Sequence, residues 1–250
     1  MVRALLIRGM LVGIVAGLLS FGFLKIYGEP QVDVAVAFET QQDLAKDSSA
    51  HAHGMAAEHH DELVSREVQA GLGLFVAVMA YCVAFGGLFG LAFAFAYGRT
   101  PGVFTPQAMS LLLAAAGFVA VYLVPNLKYP ANPPSVGDPQ TIGMRTALYF
   151  IMIAISIAAM IGAISFKRLL VARFGDWNAT VMVAVYYIII VVVAGLLLPA
   201  VNEVPVEFPA VALWKFRVAS IGAQFIMWAT FGVLFGVSAQ RAFAAGRVHA

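Results

Sequence analysis

Ionisable side chains are missing from the middle of the long apolar segments of this 250-residue chain. No Asp, Glu, Lys, Arg or His stands there. Proton-coupled carriers and pumps usually keep such a group inside the membrane, because it is costly to bury and is retained for function. The absence argues against a self-sufficient proton antiporter. It also excludes a haem held between the helices by an axial histidine.

Motifs of hydrolytic and nucleotide-driven enzymes are missing as well. The chain has no Gly-x-x-x-x-Gly-Lys-Ser/Thr loop, no Gly-x-Ser-x-Gly and no His-Glu-x-x-His. Cys82 is its one cysteine, so no disulfide can form within the chain. The formal net charge is only +2 and the basic residues are scattered, which argues against nucleic acid as a partner. We expect no enzymatic activity and no tightly bound cofactor.

Apolar sequence is abundant, with 62% hydrophobic and 11% charged residues. A membrane-spanning helix needs about 20 apolar residues. Six segments meet this requirement, at 4–27, 69–97, 104–127, 144–166, 178–200 and 214–240. They predict an all-α protein of the lipid bilayer, with one transmembrane domain over 1–250. The number of spans is six, or five if one segment does not cross.

The six segments pair into three predicted helix hairpins, with outer loops at 28–68, 128–143 and 201–213. Repeated hairpins resemble the architecture of transporters, whose sites lie between repeats. The last two loops are rich in proline, and an arginine stands at the mouth of the helix that follows each loop: Arg66, Arg145 and Arg217. We expect these arginines to lock the loops by pairing with carboxylates. We assign Asn126, Asn202 and Glu203 to the transport path. For Glu203 and Glu207 the alternative to passing a cation is surface ion pairing with Arg145 or Arg217.

Glycines recur at a spacing of four in three of the segments. They are Gly9, Gly13 and Gly17, then Gly86 and Gly90, then Gly232 and Gly236. Small residues four apart lie on one helix face and let two backbones approach closely in lipid. The spacing predicts helix packing and not substrate binding.

Four of the five histidines stand in a stretch of twelve residues, 51–62. This stretch lies in the first outer loop, the one long polar segment of the chain. Neutral imidazole is the commonest ligand for borderline divalent metals, and carboxylates can complete the shell. The candidate metal ligands are His51, His53, His59, His60, Asp61 and Glu62. The alternative is a solvated tether in which the histidines are incidental, since a His-rich tract indicates metal binding on composition alone.

Orientation follows from the first helix. The side of the two termini carries eight basic residues and the other side seven, so the count of Lys and Arg is nearly a tie. Arg3 and Arg8 precede the first apolar run, and an acidic loop follows it. We therefore expect cytoplasmic termini and an external His-rich loop.

Several blocks of the sequence resemble the CbtA family of predicted cobalt transporter subunits. They are the opening Arg-Ala-Leu-Leu-Ile-Arg-Gly-Met, Gly28-Glu-Pro-Gln-Val-Asp33, Val64-Ser-Arg-Glu-Val-Gln-Ala-Gly71, Val124-Pro-Asn-Leu-Lys-Tyr-Pro-Ala-Asn-Pro-Pro134, Gly137-Asp-Pro139 and Leu198-Pro-Ala-Val-Asn-Glu-Val-Pro205. The resemblance implies a multi-pass protein of the bacterial inner membrane that takes up Co²⁺ for cobalamin synthesis. It also implies a partner, CbtB, with one span and its own histidines. The family brings no ligand set that can be placed on this chain.

Two alternatives to Co²⁺ uptake remain open at this point. The first is transport of Ni²⁺ or Zn²⁺, because most nitrogen and oxygen sites bind Ni²⁺ more tightly than Co²⁺. The second is a membrane metal sensor or scaffold that binds ions without moving them.

Overall fold

The computed structural model describes residues 1–52, 64–100, 103–134 and 136–246. In these ranges the chain is helical and has no strand. The helices are α1 (Val2–Tyr27), α2 (Glu29–Ala52), α3 (Arg66–Tyr97), α4 (Pro106–Lys128), α5 (Ile142–Leu197) and α6 (Ala210–Ala244), with a short 3₁₀ turn at Pro139–Thr141 before α5. Five of them, all except α2, are long and apolar enough to cross a membrane. The all-α membrane class predicted from the sequence is confirmed.

Helix α5 contains two of the six predicted segments, 144–166 and 178–200. It is interrupted at Gly175, whose φ of 77° and ψ of 166° are not helical. A positive φ is open to glycine at little steric cost, so the reversal occurs there.

The two arms of α5 pack against each other on either side of Gly175. Ser156 Oγ and Tyr187 OH form a hydrogen bond of 2.8 Å between the arms, and Ala159 and Val183 share a buried apolar cluster. Lys167 Nζ lies 3.0 Å from Asp176 Oδ1 beside the turn. The arms run antiparallel, because the paired residues lie farther from Gly175 on both arms as one moves from Lys167 and Asp176 to Ser156 and Tyr187. Helix α5 is therefore a hairpin of two helical arms, and the arms correspond to the predicted segments 144–166 and 178–200.

The prediction of a loop over 28–68 is corrected for the first part of that segment, because Glu29–Ala52 form helix α2. Pro30 cannot continue α1, since it lacks an N–H and its ring clashes with the preceding turn, but it is well placed in the first turn of a new helix. Ala35 is buried against Phe208 and Ala212, and the ring of Phe38 contacts Phe208 edge to face at 5.2 Å. Burial of this one apolar face stabilises α2 outside the apolar segments.

The chain forms two compact units. Unit 1 comprises Met1–Ala114, Asn132–Val136 and Val204–Ala250, and unit 2 comprises Ala115–Ala131 and Gly137–Glu203. The first predicted hairpin, α1 with α3, lies within unit 1. The third predicted hairpin is divided, because the second arm of α5 belongs to unit 2 and α6 belongs to unit 1.

Glycine faces join α1 to α3 in unit 1. A methyl group added to Gly9 would overlap the carbonyl oxygen of Gly86, and one added to Gly13 would lie 2.5 Å from Cys82 O. The two backbones are therefore in direct contact, which only glycine permits. The packing role predicted for these glycines is confirmed.

Three of the membrane helices contain a π-helical turn, at Gln69–Gly73, Phe118–Leu123 and Phe231–Phe235. Such a turn displaces the regular hydrogen bonds of the helix. In α6 the carbonyl of Phe231 accepts a bond of 3.3 Å from Ser110 Oγ of α4, within unit 1. A side chain of a neighbouring helix thus satisfies a polar backbone group of the π-helical turn.

Candidate functional site

Two carboxylates and one guanidinium meet where α1 ends and α3 begins in unit 1. Arg66 donates from Nη2 to Glu29 Oε2, and from Nη2 and Nε to Asp33 Oδ1 at 2.9 and 3.2 Å. The Glu29 side chain is 11% exposed and the Asp33 side chain 64%. The Glu29 arm is therefore the better shielded of the two ion pairs, and solvent weakens the Asp33 arm. We call Glu29, Asp33 and Arg66 the carboxylate clamp.

Local structure explains why these three residues meet. Glu29 and Asp33 are four apart on α2, so they share one helix face. Arg66 is the first residue of α3, after Ser65 in an extended conformation, and Lys25 Nζ of α1 donates to Ala70 O of α3 at 2.9 Å. The clamp thus joins α2 to α3, and the Lys25 bond joins α1 to α3 at the same end of unit 1.

A second polar cluster surrounds Glu203 in unit 2. Its carboxylate accepts from Thr141 Oγ1 at 2.7 Å and from the Asp138 N–H at 3.0 Å, and Arg145 Nε lies 3.3 Å from Oε2. These contacts, led by the bond from Thr141, hold the pKa of Glu203 below its ordinary value. The carboxylate therefore joins the turn before α5 to the first turn of that helix.

Gly137 makes the close approach of Arg145 to this loop possible. Its φ is +123°, and a methyl group added there would lie 2.5 Å from Arg145 Nη1. Arg145 Nη2 also donates to the carbonyl of Asp138 at 3.1 Å. The guanidinium thus contacts both the loop backbone and Glu203.

The third predicted arginine, Arg217, donates to an amide oxygen, Asn132 Oδ1, at 2.8 Å within unit 1. Of the residues assigned to the transport path, Asn126 is buried and its Oδ1 accepts from the Ala131 N–H at 3.2 Å, whereas Asn202 is exposed. The structure therefore places Glu203 and Arg145 together, and Asn126 and Asn202 in separate environments.

Most of the predicted metal ligands fall outside the described residues. His51 lies in the last turn of α2, while His53, His59, His60, Asp61 and Glu62 lie outside the described residues. Within the described ranges, no three or more His, Cys, Asp or Glu residues come together as a metal site. The metal assignment of the six residues stays a prediction.

Glu29 and Asp33 were not singled out by sequence reasoning. A signal was present, because both acids stand at the start of the predicted outer loop, 28–68, and Arg66 stands near its end. Two carboxylates four apart on a helix offer oxygen ligands to a divalent ion, and carboxylate, imidazole and water are all accepted by borderline metals. In the structure Arg66 binds one oxygen of each carboxylate, Glu29 Oε2 and Asp33 Oδ1, so an incoming cation would compete with the guanidinium for these two atoms.

The chain was compared with known proteins. It matches, over residues 2–240, the family described as "Probable cobalt transporter subunit (CbtA)". No curated protein and no solved structure matches it. The match covers nearly the whole chain and all five of the membrane-spanning helices, the last of them except for its final residues. The protein is a multi-pass membrane protein that belongs to the CbtA family of probable cobalt transporter subunits.

Proposed function

We propose that this protein captures Co²⁺ at the outer face of the bacterial inner membrane and passes it inward for cobalamin synthesis. The family supplies the metal and the transport role. The structural observation that carries the proposal is the carboxylate clamp, which sets two acids between the end of α1 and the start of α3. On the proposed topology this end of the spans faces outward. These acids lie on the same helix that leads into the His-rich segment.

The polar face of α2 supports a route from that segment to the clamp. A helix turns by about 100° per residue, so positions 33, 43, 47 and 51 each fall within about 40° of position 29. They are Glu29, Asp33, Asp43, Asp47 and His51. The apolar positions of Ala35 and Phe38 are on the opposite side, against Phe208. By register, metal-binding residue types stand on this face in the first two turns and in the second half of α2, and Val36 and Thr40 occupy the positions between them.

Arg66 keeps the clamp from becoming a permanent metal site. Transport requires that an ion bind well enough to arrive and weakly enough to leave. A guanidinium that already holds both carboxylates opposes the cation by charge and by competition for oxygen atoms. The carboxylate clamp therefore binds the ion only transiently, and the ion reaches it from ligands that the His-rich segment supplies.

The route across the bilayer requires a partner. The middle of each apolar segment lacks ionisable residues, and the phosphate-loop motif is missing, so the sequence offers no coupling group there. We assign this task to a complex with the single-span subunit CbtB, in line with the word "subunit" in the family description. The histidines of CbtB would provide further imidazole ligands along the path of the ion.

The proposed direction requires cytoplasmic termini. A periplasm-active reporter fused at Ala57 should be active, and one fused after Arg247 should be inactive. The opposite pattern would reverse the direction of capture.

The function is tested by cobalt accumulation in cells that lack or carry the chain. Cells without it should accumulate less Co²⁺ at low external metal and should regain cobalamin-dependent growth when cobalamin itself is added. The variant Glu29→Gln/Asp33→Asn should resemble the deletion. Glu207→Gln, which changes an exposed acid of another outer loop, should resemble wild type. Equal accumulation with and without the chain would favour a sensor or scaffold, and preference for Ni²⁺ or Zn²⁺ would change the metal.

A further inference from the structure

A cavity of about 350 Å³ lies in unit 1 between the start of α1 and the end of α6. The residues that line it are Arg8, Leu234, Val237, Ser238, Arg241 and Ala242. Arg8 Nη1 donates to Ser238 Oγ at 3.0 Å. None of the lining residues is acidic, so the cavity combines two positive charges, one hydroxyl group and an apolar wall. We call it the basic pocket.

The basic pocket lies where the apolar layer ends. Arg8 is the last charged residue before the apolar run of α1, which is uncharged as far as Lys25. On α6 the sequence between Arg217 and Arg241 is likewise uncharged. Because Arg8 bonds to Ser238, the two apolar runs end at the same level. Lipid headgroups, and their phosphates, occupy this level of a bilayer.

We propose that the basic pocket binds the phosphate group of an anionic phospholipid. Arginine forms paired, charge-assisted hydrogen bonds with phosphate oxygens, and basic pockets between membrane helices hold anionic headgroups. Arg8 and Arg241 supply the positive charge and Ser238 the hydroxyl group. A single phosphodiester carries one negative charge, so a headgroup without a compensating amine matches the pocket better than a zwitterionic one.

The apolar wall distinguishes a lipid from free phosphate. Leu234 is 40% exposed and neighbours Val233, which is 52% exposed, on the α6 surface that leads from the pocket into the apolar layer. An acyl chain attached to the bound phosphate can follow this surface, and its burial adds binding free energy that inorganic phosphate lacks. The basic pocket therefore binds the phospholipid more tightly than inorganic phosphate.

The test is native mass spectrometry of the intact, delipidated protein in detergent, titrated with phosphatidylglycerol, phosphatidylcholine or inorganic phosphate. Phosphatidylglycerol should bind most tightly. Each arginine near a membrane surface contributes about fivefold to the attraction of an anionic lipid, so Arg8→Gln/Arg241→Gln should weaken phosphatidylglycerol binding by roughly 25-fold. Arg241→Gln alone should weaken it about fivefold. Arg241 is exposed, so this single variant leaves helix packing intact.

Arg99→Gln is the matched control. Arg99 follows α3 near the start of α1, where Gly98 approaches Met1, and its guanidinium stacks on the Phe95 ring outside the pocket. This variant should bind phosphatidylglycerol as wild type does. The proposal is overturned if the double variant keeps its affinity, or if Arg99→Gln loses as much. It is also overturned if phosphatidylcholine or inorganic phosphate binds as tightly as phosphatidylglycerol.

Discussion

Replacing Arg66 by Gln should tighten Co²⁺ binding at Glu29 and Asp33. In wild type the guanidinium lies within 3 Å of the carboxylate oxygens that a metal ion would use. Its repulsion of a divalent cation about 4 Å away is about 2 kcal/mol even at the dielectric constant of water. Removing that charge should therefore raise the affinity for Co²⁺ by about 30-fold or more.

The same substitution should destabilise the metal-free protein. It removes a charge-assisted hydrogen bond to the shielded Glu29, a loss of about 1.5–3 kcal/mol. The exposed Asp33 arm adds about 0–1 kcal/mol. Added Co²⁺ should then raise the thermal midpoint of Arg66→Gln more than that of wild type, because the ion replaces the lost positive charge.

Isothermal titration calorimetry and thermal unfolding of the purified full chain measure the two effects. Arg145→Gln is the control, since it removes the same group beside Glu203 in the other unit and should leave Co²⁺ affinity at the clamp unchanged. Adding Glu29→Gln and Asp33→Asn to Arg66→Gln should abolish the gain. A folded Arg66→Gln protein that binds Co²⁺ no more tightly than wild type would refute the competition between guanidinium and metal.

Three further predictions concern other parts of the chain. Replacing His51, His53, His59 and His60 by Ala should weaken Co²⁺ uptake only when the external ion is scarce, and loss of uptake at saturating metal would make this segment an obligatory part of the path. Glu203→Gln should lower uptake at all Co²⁺ concentrations. Because the pKa of Glu203 is lowered by folding, its carboxylate stabilises the protein at neutral pH, and this contribution is lost in acid as the pH falls through the lowered folded-state pKa. Thermal midpoints of wild type and Glu203→Gln should therefore differ at pH 7 and converge in acid, and a difference independent of pH would contradict this. Gly9→Ala should destabilise unit 1 by about 1–3 kcal/mol through overlap with α3, whereas Gly22→Ala on the same helix should not, because nothing lies within 4 Å of its added methyl group.

The membrane helices could be predicted from the sequence because a span has a simple physical requirement, about 20 apolar residues without charge. The glycine contacts between α1 and α3 were also predictable, since a spacing of four places small residues on one face. The division of the chain into two units was not predictable in this way. It depends on which helices pack together, and all the spans are apolar.

Helix α2 was missed because its sequence is polar and its stability comes from elsewhere in the chain. Ala35 and Phe38 are buried by Phe208, about 170 residues away, and local patterns do not reveal such a partner. Pro30, two residues after Gly28, is the one local signal, since proline is favoured in the first turn of a helix.

The candidate site was predictable only in part. Arg66 and Arg145 stood out because each stands at the mouth of the helix after a predicted outer loop. The sequence offered Glu203 and Glu207 as partners of Arg145, and the structure pairs Arg145 with Glu203. The partners of Arg66 could not be assigned from the sequence. Glu29 is separated from Arg66 by 37 positions. An ion pair over that distance requires the path of α2, which the sequence did not indicate.

Co²⁺ uptake into sealed vesicles tests the central claim most directly. The full chain is reconstituted together with its single-span partner, and the trapped metal is measured after addition of Co²⁺, Ni²⁺ or Zn²⁺ outside. We predict uptake of Co²⁺ in preference to the other two ions, and its loss in Glu29→Gln/Asp33→Asn but not in Glu207→Gln. Vesicles that bind Co²⁺ without accumulating it, or uptake that is unchanged in the double variant, would contradict the account.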